Sequence, residues 1–296
     1  MVPPESATAG PRAPRRRVRL ARGPLTIGEP APAIEPRLSA AEPYRPDTIA
    51  DGGTAFGLTV RAASVRGLHK RFVGGPRQDD LCLSLHAPTR TLIAAVADGV
   101  SGAARSDLGA ALAVRYATAA VARQLDDGAI DWPNVFEQAA WALVSEERRA
   151  DADGGSLATT LLVAAVCAGD DGEVTVQAAA VGDSPAFRLH GRQYDPIVGQ
   201  LAREDDLIGG GVLALPRHAG SVETGSCPLA AGDALLLCTD GVALPLAGGG
   251  GELGRTLARE LATPPDVVDF ARLLDFSRST YDDDRTLVAV WGSNAS

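Results

Sequence analysis

The chain is 296 residues long, with 28 basic and 37 acidic side chains, a formal charge of -9 and 45% hydrophobic residues. That length suits one large domain or two small ones with a buried core, and the acidity argues against a broad nucleic-acid-binding surface. Lysine occurs once, at Lys70, so chemistry that needs a second lysine is excluded; there is no Gly-x-x-x-x-Gly-Lys-Ser/Thr loop and no run of the ~18 apolar residues that a membrane span requires.

The first 55 residues carry 10 of the 20 prolines, set among Ala, Gly, Ser and Arg. Such a composition buries too little apolar surface to offset the entropy of ordering, so residues 1–55 are expected to form a disordered tail ahead of one domain at 56–296. Its arginines, Arg12, Arg15, Arg16, Arg17, Arg19 and Arg22, read as solvated charges. They lack the apolar segment of a secretory signal, which makes the cytoplasm the expected location.

From Leu58 onward, short apolar runs bounded by Gly, Asp and Pro predict strands near 58–65, 80–86, 91–97, 158–168, 173–181, 185–190, 219–224, 233–239 and 286–291. Helices are predicted over 106–125, capped by Ser106 or Asp107, and over 133–149, with Pro133 in the first turn and Arg148-Arg149 at the negative end. Two more cover 252–262 and 264–274. Because strands come in consecutive runs rather than in strict alternation with helices, the pattern predicts an α+β layered domain with mostly antiparallel sheet. Cys82, Cys167, Cys227 and Cys238 form no Cys-x-x-Cys pair and read as reduced residues in or near the core.

Four aspartates stand where apolar runs begin or end: Asp79 in Arg77-Gln78-Asp79-Asp80, Asp98 in Ala97-Asp98-Gly99, Asp240 in Thr239-Asp240-Gly241, and Asp283 in Asp282-Asp283-Asp284-Arg285-Thr286. A carboxylate buried without a partner costs several kcal/mol, so acids recurring at strand ends predict a shared cation, most simply a pair of divalent metals. At Asp98-Gly99 a strand delivers an acid into a Gly-rich turn, and the missing side chain of Gly99 leaves its carbonyl free to act as a further oxygen ligand. Either Asp-Gly copy alone would be an ordinary turn.

In order along the chain stand Gly75-Pro-Arg-Gln-Asp79-Asp80, Val96-Ala-Asp98-Gly99-Val-Ser-Gly102, Leu157-Ala-Thr-Thr-Leu161, Val181-Gly-Asp183-Ser184, Leu236-Leu-Cys-Thr-Asp240-Gly241 and Asp283-Asp284-Arg285-Thr286-Leu-Val288. This succession resembles the metal-dependent protein serine/threonine phosphatases of type 2C, in their bacterial form, across residues 58 to 291. The resemblance implies a four-layer α/β/β/α sandwich with two central, mostly antiparallel sheets and a metal site at one end between them. It implies that Asp98 bridges two Mn²⁺ or Mg²⁺ ions, that the Gly99 carbonyl binds one, and that Asp240 and Asp283 bind the other, with Asp79 coordinating directly or through water. Oxygen-only ligands favour these hard cations over Zn²⁺. The implied substrates are phosphorylated proteins made by a serine/threonine kinase, hydrolysed by a water that the two ions activate. No cysteine has an arginine six positions later and no Gly-x-Ser-x-Gly elbow occurs, which agrees with a mechanism without a covalent intermediate.

The chain departs from the pattern at several points. Gln78 replaces a glutamate ligand, and Val100 stands where many members carry a histidine. Arg66, Arg71 and Arg77 compete for the role of the phosphate-binding arginine. Asp153 is either a ligand for a third ion or part of an Asp-Gly-Gly turn, and Asp183 reads as a turn acid near the site. The Gly249-x-Gly251-x-x-Gly254 match to a dinucleotide fingerprint and the lone His86, His190 and His218 carry no functional reading. Two rivals remain: a phosphatase-like binding or regulatory module with little turnover, which would not need three convergent carboxylates, and a hydrolase of small phosphate esters.

Overall fold

The computed structural model describes residues 25–39, 45–151, 154–170, 172–199 and 212–292. In chain order these form β1 (Leu25–Thr26), β2 (Thr48–Ala55), β3 (Leu58–Val65), α1 (Leu68–Val73), β4 (Asp80–His86), β5 (Thr91–Ala97), α2 (Ser106–Asp127), α3 (Trp132–Arg149), β6 (Leu161–Ala168) and β7 (Val174–Val181). There follow β8 (Ala186–His190), β9 (Gln193–Val198), β10 (Glu223–Pro228), β11 (Ala234–Cys238), α4 (Asp240–Leu246), α5 (Glu252–Glu260), α6 (Val267–Leu274), β12 (Phe276–Ser277) and β13 (Arg285–Gly292).

Two antiparallel sheets carry the fold, one ordered β10-β7-β6-β5-β4 and the other β2-β3-β13-β11-β8-β9. Their central strands read as unbroken apolar runs because both faces are covered. In β5 the alternation is still legible: Leu92, Ala94 and Val96 face the second sheet, whereas Ile93, Ala95 and Ala97 pack under α2 and α3. In β13, Val288 and Val290 point inward to the same central layer, and Leu287, Ala289 and Trp291 pack under α4, α5 and α6. Helices therefore cover the outer face of each sheet, giving the α/β/β/α layering.

Ahead of the boundary expected at residue 55, part of the described segment is structured. Thr48–Ala55 is an edge strand paired residue for residue with β3, and Leu25–Thr26 pairs in parallel with Phe276–Ser277. Asp47, just ahead of β2, accepts hydrogen bonds from Arg66 and Arg71. The arginines from Arg12 to Arg22 lie outside the described residues.

Local differences also have physical causes. The cap of α2 is Arg105 without a side-chain bond, because Ser106 and Asp107 are buried inside the first turn and engaged by Gln78 and Arg45. Asp131 caps α3 by accepting from the Asn134 amide at 3.2 Å. The strand expected at 219–224 runs instead over 223–228, and α1, α4 and β9 were not anticipated. A Cβ on Gly109 of α2 would fall 2.1 Å from the carbonyl oxygen of Leu157, so only glycine lets this helix press onto the segment that supports the site. The cysteines are free thiols, with Cys238 buried.

Candidate active site

Two strand pairs, one from each sheet, deliver acids to the same end of the sandwich. In the first sheet Asp80 pairs with Ala97, which sets Asp79 ahead of β4 beside Asp98 behind β5. In the second, Cys238 pairs with Leu287, which sets Asp240 behind β11 beside the 282–284 loop ahead of β13. An antiparallel register thus converts four distant sequence positions into one cluster.

The backbone around the cluster is fixed by hydroxyls and glycines. The Asp98 amide donates to Thr160 Oγ1 at 3.0 Å, and its carbonyl accepts from Thr159 Oγ1 at 2.8 Å. Gly99 forms a bridge with Thr159, and a Cβ there would fall 2.8 Å from the Ser106 backbone. A Cβ on Gly241 would fall 1.9 Å from the carbonyl oxygen of Asp284, so the turn after Asp240 closes directly on the facing loop. Asp79 is buried, and its Oδ2 accepts from Thr239 at 2.8 Å and from Thr286 at 2.7 Å. Behind Thr286 stand Ser64 Oγ at 2.6 Å and then Arg77, which donates to Ser64 at 2.7 Å.

These acids strain one another. Burial, then the charges of Asp79 and Asp240 and a hydrogen bond shared with Asp240, raise the Asp98 carboxyl well above the ordinary range. Burial, followed by Asp284 and Asp283, pushes Asp79 up to about 8, against the donated bonds of Thr286 and Thr239. Asp240 is raised to about 6, chiefly by burial, with the bond to Asp98 opposing and Asp283 and Asp183 adding. Asp183, read from sequence as a turn acid, therefore borders the cluster, and its own carboxyl is raised by burial.

Two buried oxygens here lack a hydrogen-bond partner, Asp240 Oδ1 and Gln78 Oε1, while the Gln78 amide nitrogen donates to Ser106 Oγ at 2.8 Å. Repelling carboxylates and orphaned acceptors are the polar environment that a hard cation satisfies, so the donor set fits a divalent metal. Among the described residues, no three acidic, imidazole or thiol side chains already stand as a closed ligand set. The Oδ1 of Asp283 lies 2.8 Å from the Lys70 ammonium. Asp284 is buried and braces the loop, accepting from the amides of Gly67 at 2.7 Å and Gln78 at 2.6 Å.

None of the three arginines nominated for phosphate is free to serve. Arg66 holds Asp47 and the carbonyls of Gly75 and Arg37. Arg71 spans Asp47 and Asp275, and Arg77 is buried against Ser64 and the Asp79 carbonyl. Lys70 instead lines a cavity of about 300 Å³ together with Gln78, Ser101 and Asp283. The sequence reading passed over Lys70, although its being the chain's single lysine was a visible signal. His86 and His190 pair with Asp126 and Asp233, His218 lines a separate groove with Val100, and the Gly249-to-Gly254 match lies in the passage into α5 rather than behind a strand. Asp153 lies outside the described residues.

The sequence profile of protein phosphatase 2C matches residues 66–287, a span that contains all four acids. The chain belongs to the protein phosphatase 2C family. Protein serine/threonine phosphatases are the enzyme class of that family, and the family is metal-dependent. The fold is also that of solved type 2C phosphatases. The catalytic domain of serine threonine protein phosphatase PstP in complex with two manganese ions aligns with a TM-score of 0.54 at 20% identity, covering 80% of this chain and 99% of that one. Stp1 from Staphylococcus aureus aligns with a TM-score of 0.57 at 14% identity, covering 83% and 98%. The Mycobacterium tuberculosis phosphatase PstP/Ppp aligns with a TM-score of 0.52 at 19% identity, covering 80% and 99%. No curated protein matches the sequence. Among the described residues, no helix of this phosphatase is long and apolar enough to cross a membrane.

Proposed function

We propose that this phosphatase hydrolyses phosphoserine and phosphothreonine in protein substrates, using two Mn²⁺ or Mg²⁺ ions held by Asp79, Asp98, the Gly99 carbonyl, Asp240 and Asp283. The observation that carries this reading is the contact between the Asp98 and Asp240 carboxyls inside a ring of further acids, with Asp240 Oδ1 left without a partner. When bound, such ions lower the pKa of a water and neutralise phosphoryl oxygens.

The chain's own residues supply placement. Asp98 sits at the hub, its backbone clamped by Thr159 and Thr160. The Asp79 carboxyl is held in place by hydrogen bonds from two hydroxyls. Gly99 and Gly241 let the two halves of the cluster approach, and the Lys70 ammonium lines the adjoining cavity. The manganese in the PstP relative supports Mn²⁺ as a ligand of this site. A kinase of the serine/threonine type is the implied source of the substrate, and the cytoplasm the implied place of action.

Hydrolysis of a phosphothreonine peptide by the purified full chain tests the reading. Turnover should require Mn²⁺ or Mg²⁺ and vanish with a chelator; metal-independent turnover would overturn the mechanism. Metal binding without turnover of any phosphopeptide would favour the binding-module alternative.

A further inference from the structure

Three consecutive residues just ahead of β2, Arg45-Pro46-Asp47, grip the surroundings of the acid cluster on both sheets, and all three lie outside the span that the family profile matches. On the first sheet, Arg45 donates to Asp80 Oδ2 at 2.8 Å, next to Asp79, and to the carboxylate and carbonyl of Asp107 in the first turn of α2. The Pro46 carbonyl accepts from Arg77, which also donates to Ser64 and to the Asp79 carbonyl. On the second sheet, the Asp47 carboxylate accepts from Arg66 at 2.9 Å and from Arg71 at 2.7 and 3.0 Å.

Arg66 and Arg71 stand on either side of Gly67, His69 and Lys70, and this stretch holds the 282–284 loop. The Gly67 amide donates to Asp284 at 2.7 Å, the His69 amide donates to the Asp282 carbonyl at 3.0 Å, and the Lys70 ammonium lies 2.8 Å from Asp283. A Cβ on Gly67 would fall 2.3 Å from the Asp282 carbonyl oxygen, so the two backbones are in direct contact and a shift of α1 displaces the loop. A continuous path of bonds therefore runs from Asp47 through two arginines and α1 to the loop that bears Asp283. Asp47 is 40% exposed, so its ion pairs by themselves stabilise the fold only modestly. Their reach is the larger effect.

We propose that Asp47 is a positioning residue of the metal site, holding Arg66 and Arg71 so that α1 keeps the 282–284 loop, and with it Asp283, in place against the acids of the other sheet. This rests on the metal-dependent reading above. A metal binds only as well as its ligands converge, and contacts behind the ligands set that convergence. Arg45 fixes the opposite end through Asp80, so the 45–47 segment acts as a bracket across the two sheets rather than as a single ion pair.

Calorimetric titration of the full chain with Mn²⁺ tests this. Asp47→Ala should weaken Mn²⁺ binding by about tenfold, the lower end of what loss of a partner behind the ligands costs. Arg71→Met should do the same, and the double variant should be no weaker than either single one, because both changes break one path. Two controls separate positioning from general effects. Asp131→Ala removes the cap of α3 and lowers stability away from the site, and Asp51→Ala removes a negative charge from β2 whose one bond among the described residues is to the Gly52 amide. Both should keep the wild-type affinity. If Asp47→Ala fails to fold by circular dichroism, Asp47→Asn, which keeps the shape and loses the charge, serves in its place. Wild-type affinity in the folded Asp47 variant, additive losses in the double variant, or an equal loss in either control would overturn the proposal and leave the metal reading intact. Failure of the wild type to bind Mn²⁺ would overturn both.

Discussion

Thr286 donates a 2.7 Å hydrogen bond to Oδ2 of Asp79 across 207 positions of sequence, with both residues buried. The bond ties the acid at the start of β4 in one sheet to the start of β13 in the other. Replacing Thr286 by Val keeps the shape and removes the donor, leaving Thr239 as the remaining hydroxyl on Asp79. The variant should lose about 1–2 kcal/mol of stability, since the bond removed is to an ionisable buried acceptor. Urea unfolding with Mn²⁺ present checks it; a variant as stable as wild type would mean that Thr286 does not hold Asp79.

The mutual repulsion of the cluster predicts opposite effects for Asp98→Asn with and without metal. Without metal the change removes a charge among Asp79, Asp240 and Asp283 and should be neutral or stabilising. With metal it should abolish most activity and much of the metal-induced stabilisation, which for an ion at 100 times its Kd is about 2.7 kcal/mol. Thermal melts of both proteins with and without Mn²⁺ decide the matter. Equal metal shifts would remove Asp98 from the centre of the site.

The raised acids also fix the sign of the pH dependence. Asp79 and Asp240 are pushed up to about 8 and about 6, against roughly 3.9 for an unfolded aspartate. Between these limits the folded, metal-free protein binds more protons than the unfolded chain, so its stability is full below about pH 4 for these groups and falls as pH rises toward 8. A metal needs the deprotonated carboxylates, so with Mn²⁺ present the metal-dependent gain should grow over the same window. Denaturation at pH 5 and pH 8.5, with chelator and with Mn²⁺, measures both slopes; metal-free stability that rises across the window would contradict the clustering.

Removing residues 1–50 should harm the protein rather than leave it intact. The deletion takes Asp47 from Arg66 and Arg71 and the first three residues from β2. Arg66 is buried, and stripping its partner leaves a charge short of bonds. The point variant Asp47→Ala isolates this term and should cost about 1–3 kcal/mol, reduced from the value for a fully buried pair because Asp47 is 40% exposed. A melting temperature equal to wild type would show that the segment is dispensable.

The sequence by itself determined the strands whose both faces are buried and the four acids at their ends. Val96-Ala97-Asp98-Gly99 and Leu236 to Gly241 carry a local signal, a continuous apolar run that stops at a carboxylate, and that signal needs no knowledge of neighbours. Thr48–Ala55 gave none, because an edge strand with only partly buried side chains is held by backbone bonds to β3 rather than by an apolar face. The tertiary structure alone decided which base meets the acids. Arg66, Arg71 and Arg77 lie in the same short stretch ahead of Asp79 as Lys70, and only the closure of Gly67 onto the 282–283 backbone turns the lysine toward Asp283 while the arginines find other partners. Hydroxyls such as Thr239 and Thr286 were illegible for the same reason: a hydrogen bond between residues 160 or more positions apart exists only once the two sheets have set their registers.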